Sequence, residues 1–466
     1  MSSFAQNRKD LETQAGQPIQ ANVSRYRGIS ERPSDAIMTA NGLATALIAE
    51  RGEPRPGSAP GTAATNLVIG MNFDWEGQPV VYESLREAQR RVDPATQPTA
   101  YGPMEGLKPT CDLLQEYIFG GLYPERIATL LTSGGTGALY IAARYHFECF
   151  KTDRRGQFSN QILVPSPAWA NHASRFESDG LPCDAGVFAQ AGLIPVPVCT
   201  YDQNTHSRDL GKLLEAMRAL PQGAAVCLQA GCDNPTGIDF NNHEIDEIVN
   251  LLANKRPDLV PIVDFAYMNL GRGPGHDEYM VRKMAQEGVE FFLAHSCSKF
   301  TSGYGLVRLG SLSVVVNDSN PQTLKSLRTQ LVDGIQRETT SAPATYPAMV
   351  IRELFADKSL VRQLEAAHAI DRQRFSDLRL MFIHAADERA IQRDFGWLRA
   401  VNGMFSLFLF TPRQDHMLQD KFGCVMPLVE DMPTHGLIAR RMAWPRLNRH
   451  NFDYCMDSFA NTLLVK

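Results

Sequence analysis

Lys299 closes the run FFLAHSCSK, where apolar residues give way to Ser296, Cys297 and Ser298 and then to a single amine. An ammonium loses its hydration when buried, so a lysine at the end of an inner strand is a costly placement. Such an amine can form a Schiff base with a carbonyl. Two other strand-like runs end in polar groups of a complementary kind. AAVCLQAG leads through CDNPTG to Asn234, and VPIVDFAY ends in Asp264 and Tyr267.

An amine, a carboxylate, a phenol and an amide together match what pyridoxal phosphate (PLP) asks of a protein. Lys299 supplies the amine, and Asp264 a carboxylate to keep the pyridine nitrogen protonated. Asn234 and Tyr267 are both candidates for the ring hydroxyl. An anion cradle for the phosphate is offered by LLTSGGTGALYIAARY, where a strand gives way to Ser133, Gly134, Gly135 and Thr136 and a helix begins. Free amides at a helix N-terminus hold anions, and glycine allows close approach. Ser296, Ser298 and Arg308 would add donors, and Trp169 in VPSPAWANH could stack on the ring face. Each piece alone has a plainer reading: a strand-end lysine is usually solvated, NPTG is a β-turn, and Trp169 could be core. Their convergence favours a cofactor site.

That convergence depends on the elements. From 224 to 310, apolar runs alternate with amphipathic stretches such as HEIDEIVNLLANK and YMVRKMAQEG. This alternation predicts βαβ units and an α/β fold with a mostly parallel central sheet flanked by helices. Ligands gather at the carboxyl ends of such strands. The organisation expected is an N-terminal extension and arm over 1–65, a large cofactor-binding domain over 66–345, and a smaller α/β domain over 346–466. Residues up to about 35 are polar and aperiodic, and RGEPRPGSAPGTAAT reads as a connector.

The motif order GGTGAL, PSPAWANH, CDNPTGID, VDFAY, SCSK, GMFSLF resembles the class I aminotransferases of PLP fold type I, and within them the aspartate and aromatic branch. GQPVVYESLREAQ and TAYGPMEG fit the same branch, so that the likeness runs over roughly 66–460. The resemblance implies an amino-group transfer between an L-amino acid (glutamate, aspartate or aromatic) and a 2-oxo acid. It implies Lys299 as internal-aldimine lysine and proton-shift base, Asp264 on the ring nitrogen with His172 behind it, and Asn234 and Tyr267 on the ring hydroxyl. Trp169 would stack, and Gly135, Thr136, Ser296, Ser298 and Arg308 would hold the phosphate. Tyr101 would reach the phosphate of the neighbouring subunit, which implies a homodimer with active sites at its interface. Arg441 would bind the α-carboxylate by a bidentate fork, Arg337 a distal carboxylate across the dimer, and Gly70 the loop that closes over substrate. Arg440 takes the place of Arg441 if the register slips by one.

Three departures stand out. Arg308 lies nine residues after Lys299 where the family pattern has eight; the extra residue is either absorbed in a bulge or reshapes the phosphate end. Arg441 is followed by Met442, Ala443, Trp444, Pro445 and Arg446 instead of small residues, which would place Trp444 and Arg446 on the substrate side. The N-terminus is long.

Composition narrows the remaining classes. The 466 residues are 44% hydrophobic and 21% charged with a net charge of -5, a globular balance that speaks against nucleic acid or a membrane as partner. Nine scattered cysteines without a CxxC pair suggest reduced thiols, and MSSFAQNRKDLETQ lacks a signal-peptide pattern, so a cytoplasmic location is expected. The eleven histidines show no metal-ligand spacing. Two alternatives compete with transamination: a lyase, replacement or carbon–carbon bond-forming enzyme on the same fold, and a non-catalytic sensor. No GxGxxG opens a helix, which disfavours a nicotinamide-binding enzyme.

Overall fold

Strands form where the chain reads as short apolar runs, and the most buried runs become the middle of one sheet. The computed structural model describes residues 35–93, 95, 100–178 and 181–464. The polar N-terminal stretch expected to form an extension lies outside them up to residue 34. The chain divides into two units, Met1–Pro33 with Phe176–Cys183, and Ser34–Arg175 with Asp184–Lys466. The first contributes strand residues at 176–178 and 181–183.

Twelve strands of the second unit matter here: β1 Thr65–Asn66, β2 Ile127–Thr132, β3 Gln161–Ser166, β4 Ile194–Cys199, β5 Ala225–Gln229, β6 Val260–Phe265, β7 Phe291–Ser296, β8 Gly310–Val315, β9 Phe405–Phe410, β10 Cys424–Val425, β11 Leu428–Val429 and β12 Ile438–Ala443. Seven form one sheet in the order β2-β8-β7-β6-β5-β3-β4. The five from β7 to β4 run parallel, while β8 is antiparallel to both β7 and β2. The expected mostly parallel α/β sheet is therefore present, made mixed by the antiparallel β8. Every residue of β7 and β8 is buried, because helices cover both faces.

A second sheet, antiparallel in the order β9-β12-β11, lies later in the chain, and β1 pairs in parallel with β10. Helix α1 (Ala36–Arg51) starts at Asp35, whose carboxylate accepts the amides of Ile37 and Met38. Helix α2 (Gly134–Thr152) follows β2 directly, and α3 (Cys297–Phe300) follows β7. The long α4 (Lys358–Glu388), capped by Asp357, joins two cores. Leu360 and Leu364 pack into the apolar cluster of the large sheet, whereas Leu378, Phe382 and Ile383 pack with Phe408, Trp444 and Phe459 in a second one.

Candidate active site

β5, β6 and β7 are neighbours and parallel, so the residues just past their ends meet. Register pairs Asp264 with Gln229 on one side and Ala294 on the other. Asn234, Asp264 and Tyr267 are buried, and Lys299 is half-buried one turn into α3. Its Nζ lies 4.5 Å from the centre of the Tyr267 ring and 5.4 Å from that of Trp169. His172 Nε2 is 2.8 Å from Asp264 Oδ2 in a site closed to solvent. The His172 ring also stacks on Phe188 and meets Trp169 edge-on, which sets the orientation of both rings.

The anion cradle forms at the start of α2. Ser133 and Thr136 are exposed, and the first amides of the helix have no side-chain cap. Gly134 has φ +72°, a conformation that L side chains rarely adopt, and the Arg308 guanidinium lies within ordinary contact of a Cβ built there, at 3.7 Å. Ser296 closes on Gly135, with 3.2 Å between its Cβ and a Cβ built on the glycine. Ser298 does not present its hydroxyl to the cradle; that group donates to the carbonyl of Val307 at 2.5 Å. The extra residue between Lys299 and Arg308 is taken up in a tight turn. Ser302 and Tyr304 adopt left-handed backbone angles of 54° and 33°, and the Tyr304 amide donates to the Ser298 carbonyl at 2.9 Å. Arg308 still reaches Gly134.

Strand alternation settles the two consecutive arginines of β12. Arg440 turns to Asp415, with Nε and Nη2 each 2.7 Å from a carboxylate oxygen. Arg441 turns to the other face, where Nη1 donates to Asn234 Oδ1 at 3.1 Å and Nη2 to the Val68 carbonyl. Its guanidinium lies 4.6 Å from the centre of the Phe405 ring, Nε is without a partner, and burial pushes its pKa down to about 10, still charged at neutral pH. Gly70 sits against the same ring: a Cβ there would fall 2.4 Å from Phe405 Cζ.

The expectation for Trp444 and Arg446 is overturned. Trp444 is 0% exposed in the second core, with Nε1 donating to Ser406 Oγ, so it faces away from substrate. Arg446 is spent on the Asn66 carbonyl and the Phe73 ring. Tyr101 is 95% exposed and Arg337 is also exposed, so the single chain does not draw either into the cluster. One group escaped sequence reasoning. Asp431, in the turn after β11, accepts the Ala168 amide at 2.8 Å beside Trp169, and burial pushes its carboxyl up to about 6. An isolated aspartate in a surface-like loop carries no sequence signal.

An amine near two aromatic faces, a carboxylate backed by imidazole, and a glycine-lined helix start with an arginine beside it fit PLP in charge and in donor chemistry. Fold and site together define a PLP-dependent enzyme of the α/β type. The comparisons agree. The family model for aminotransferase class I and II matches residues 63–441, and the chain belongs to that family. It is 29% identical over 405 residues to an aspartate aminotransferase of Pseudomonas aeruginosa, covering 86% of this chain and 92% of that one. It is 28% identical over 410 residues to an aromatic-amino-acid aminotransferase of Escherichia coli, covering 86% and 94%. Among solved structures, the aromatic-amino-acid aminotransferase of Burkholderia pseudomallei, covalently bound to pyridoxal phosphate, superposes with a TM-score of 0.79 at 25% identity over 95% of this chain and 100% of that one. The protein is a PLP-dependent aminotransferase. Among the described residues no helix is long and apolar enough to cross a membrane, and no group of metal-binding side chains occurs.

Proposed function

We propose that this aminotransferase exchanges the amino group of glutamate, aspartate or an aromatic amino acid with a 2-oxo acid, with Lys299 carrying the cofactor. The observation that carries this reading is the placement of Lys299 Nζ between the Tyr267 and Trp169 rings, at the strand end next to Asp264. PLP, when bound, supplies an electron sink that weakens the bonds at the amino acid Cα. Asp264, oriented by His172, keeps a proton on the ring nitrogen. Asn234 has its carbonyl oxygen engaged by Arg441, which leaves its amide NH2, together with the Tyr267 hydroxyl, for the ring hydroxyl. Trp169 covers one ring face. Gly135, Thr136, Ser296 and Arg308 hold the phosphate, with Ser298 shaping the turn behind them. Lys299 removes the Cα proton and returns it at the other end of the shift.

Arg441 receives the α-carboxylate, since a buried guanidinium already aimed at Asn234 needs an anion to complete its fork. Gly70 lets the loop over substrate lie flat on Phe405. Tyr101 and Arg337, both exposed, are read as reaching the site of a second copy in a homodimer, Tyr101 at the phosphate and Arg337 at a distal carboxylate. The division into a large domain over 66–345 and a small one over 346–466, and a cytoplasmic location in keeping with the free cysteines among the described residues, belong to the same reading.

The test is the visible spectrum of the PLP-loaded protein before and after adding L-glutamate, L-aspartate or L-phenylalanine. Conversion of the cofactor band to the pyridoxamine form, with the matching 2-oxo acid appearing, supports the proposal and ranks the donors. A band that persists with all three rejects this substrate class.

A further inference from the structure

The segment Asn66–Asn72 is held at one end by the substrate arginine and at the other by the turn that carries Lys299. At the first end, Val68 gives its carbonyl to Arg441 and Leu67 gives its carbonyl to the Ala443 amide at 3.1 Å. At the second, the Asn72 amide donates to the Tyr304 hydroxyl at 2.6 Å, and Asn72 Nδ2 donates to Asp371 Oδ2 at 2.5 Å. Tyr82 donates to the same carboxylate oxygen. Tyr304 in turn donates its amide to the carbonyl of Ser298, the residue before Lys299.

The residue after Lys299 is tied to the same helix. His368 Nε2 is 2.7 Å from the Phe300 carbonyl, and His368 and Asp371 stand three residues apart on one face of α4. Both side chains are buried, Asp371 at 5% exposure. Helix α4 thus contacts the Lys299 turn and the 66–72 segment together, and Gly70 between the two anchors lies against Phe405.

We propose that Tyr304 and Asp371 are positioning residues that couple occupation of Arg441 by a carboxylate to the placement of Lys299. A carboxylate that takes the Arg441 fork competes with the Val68 carbonyl for Nη2. Release of Val68 shifts the segment, and the shift is passed through Asn72 to Tyr304 and the Ser298 carbonyl. The inference rests on the assignment of Arg441 and Lys299 above, and adds to it a path between them.

The experiment titrates the cofactor band of the holoenzyme with pH, with and without succinate as an unreactive carboxylate probe. Amide hydrogen exchange over residues 68–73 is read in both apoenzyme and holoenzyme. In the wild type, succinate shifts the midpoint of the band and changes exchange in the segment. In Tyr304→Phe and in Asp371→Asn, succinate still binds, the midpoint shift shrinks by about 0.5 to 1 pH unit, and KM for the amino acid rises roughly threefold to tenfold, the size of one lost hydrogen bond. An unchanged shift in both variants overturns the coupling. Arg441→Lys, run alongside, separates the two levels: succinate affinity lost there with Tyr304→Phe unaffected leaves the assignment of Arg441 standing and removes the coupling. Succinate affinity unchanged in Arg441→Lys, or no succinate shift in the wild type, removes both.

Discussion

Arg441 Nη1 donates to Asn234 Oδ1 at 3.1 Å, so the side chain proposed to bind substrate and the one proposed to bind the cofactor ring share a hydrogen bond. Asn234 lies in the turn after β5 of the large sheet and Arg441 in β12 of the second, 207 positions apart in the chain.

That contact makes Arg441 and its neighbour a matched pair for mutation. Arg441→Lys keeps the charge and loses the planar fork, so kcat/KM for the amino acid should fall about 10- to 150-fold. Arg440→Ala breaks the partly buried pair with Asp415 and should cost about 1 to 3 kcal/mol of stability with KM nearly unchanged. Steady-state kinetics and urea unfolding of both variants check this. The reverse pattern would show that the register of β12 is misread.

Lys299→Ala should lower the half-reaction rate by about 10⁴-fold or more, since on the proposed reading the variant loses both the covalent link and the proton carrier. Asp264→Ala should lower it by roughly 10²- to 10⁴-fold with PLP still bound, and His172→Phe by less, because His172 is proposed only to orient the carboxylate. Single-turnover absorbance with glutamate resolves the three. Equal losses in Asp264→Ala and His172→Phe would mean that His172 does more than orient.

Gly70→Ala drives a methyl group to within 2.4 Å of the Phe405 ring, so the ring or the loop must move. Overpacking of this kind costs about 1 to 3 kcal/mol. Because Phe405 lies against Arg441, KM should also rise, by roughly tenfold. A variant with wild-type KM and wild-type melting temperature would show that the loop gives way freely.

Asp431 sets a pH dependence of definite sign. Its carboxyl is raised to about 6 in the folded chain by burial, above its unfolded value near 3.8. The native state therefore holds a proton that the unfolded state releases, and this group lowers stability as pH rises from about 4 through 6. Below about pH 4 the effect vanishes. Asp431→Asn keeps an oxygen for the Ala168 amide and removes the charge, so it should stabilise by on the order of 2 kcal/mol at pH 7.5 and by nothing at pH 4. Urea midpoints at the two pH values check it; a variant less stable than the wild type at pH 7.5 would mean that the carboxylate has a cationic partner after all.

Most of the cofactor end could be read from the chain, since each residue there is announced by local text. VDFAY and SCSK each carry a strand end with its polar group, CDNPTG is the turn just past another, and neighbouring parallel strands bring those ends to one edge. Gly134 and Gly135 were visible for a similar reason, as a strand running directly into a helix. Trp444 was misread because sequence shows neighbours in order and not the face of a strand. It follows Arg441 by three positions, and the chain turns between them into the second core.

The sequence by itself determined the α/β class and the PLP chemistry and pointed to Lys299 as the candidate amine, because these rest on period, turn residues and the identities of strand-end side chains. The tertiary structure decided which of Arg440 and Arg441 meets Asn234, how the extra residue before Arg308 is absorbed, and that Asp371, Tyr304 and Asp431 stand beside the site. Those outcomes depend on the packing of elements tens to hundreds of residues apart, where burial and hydrogen-bond geometry select one face, one rotamer and one partner, and no local pattern records the choice.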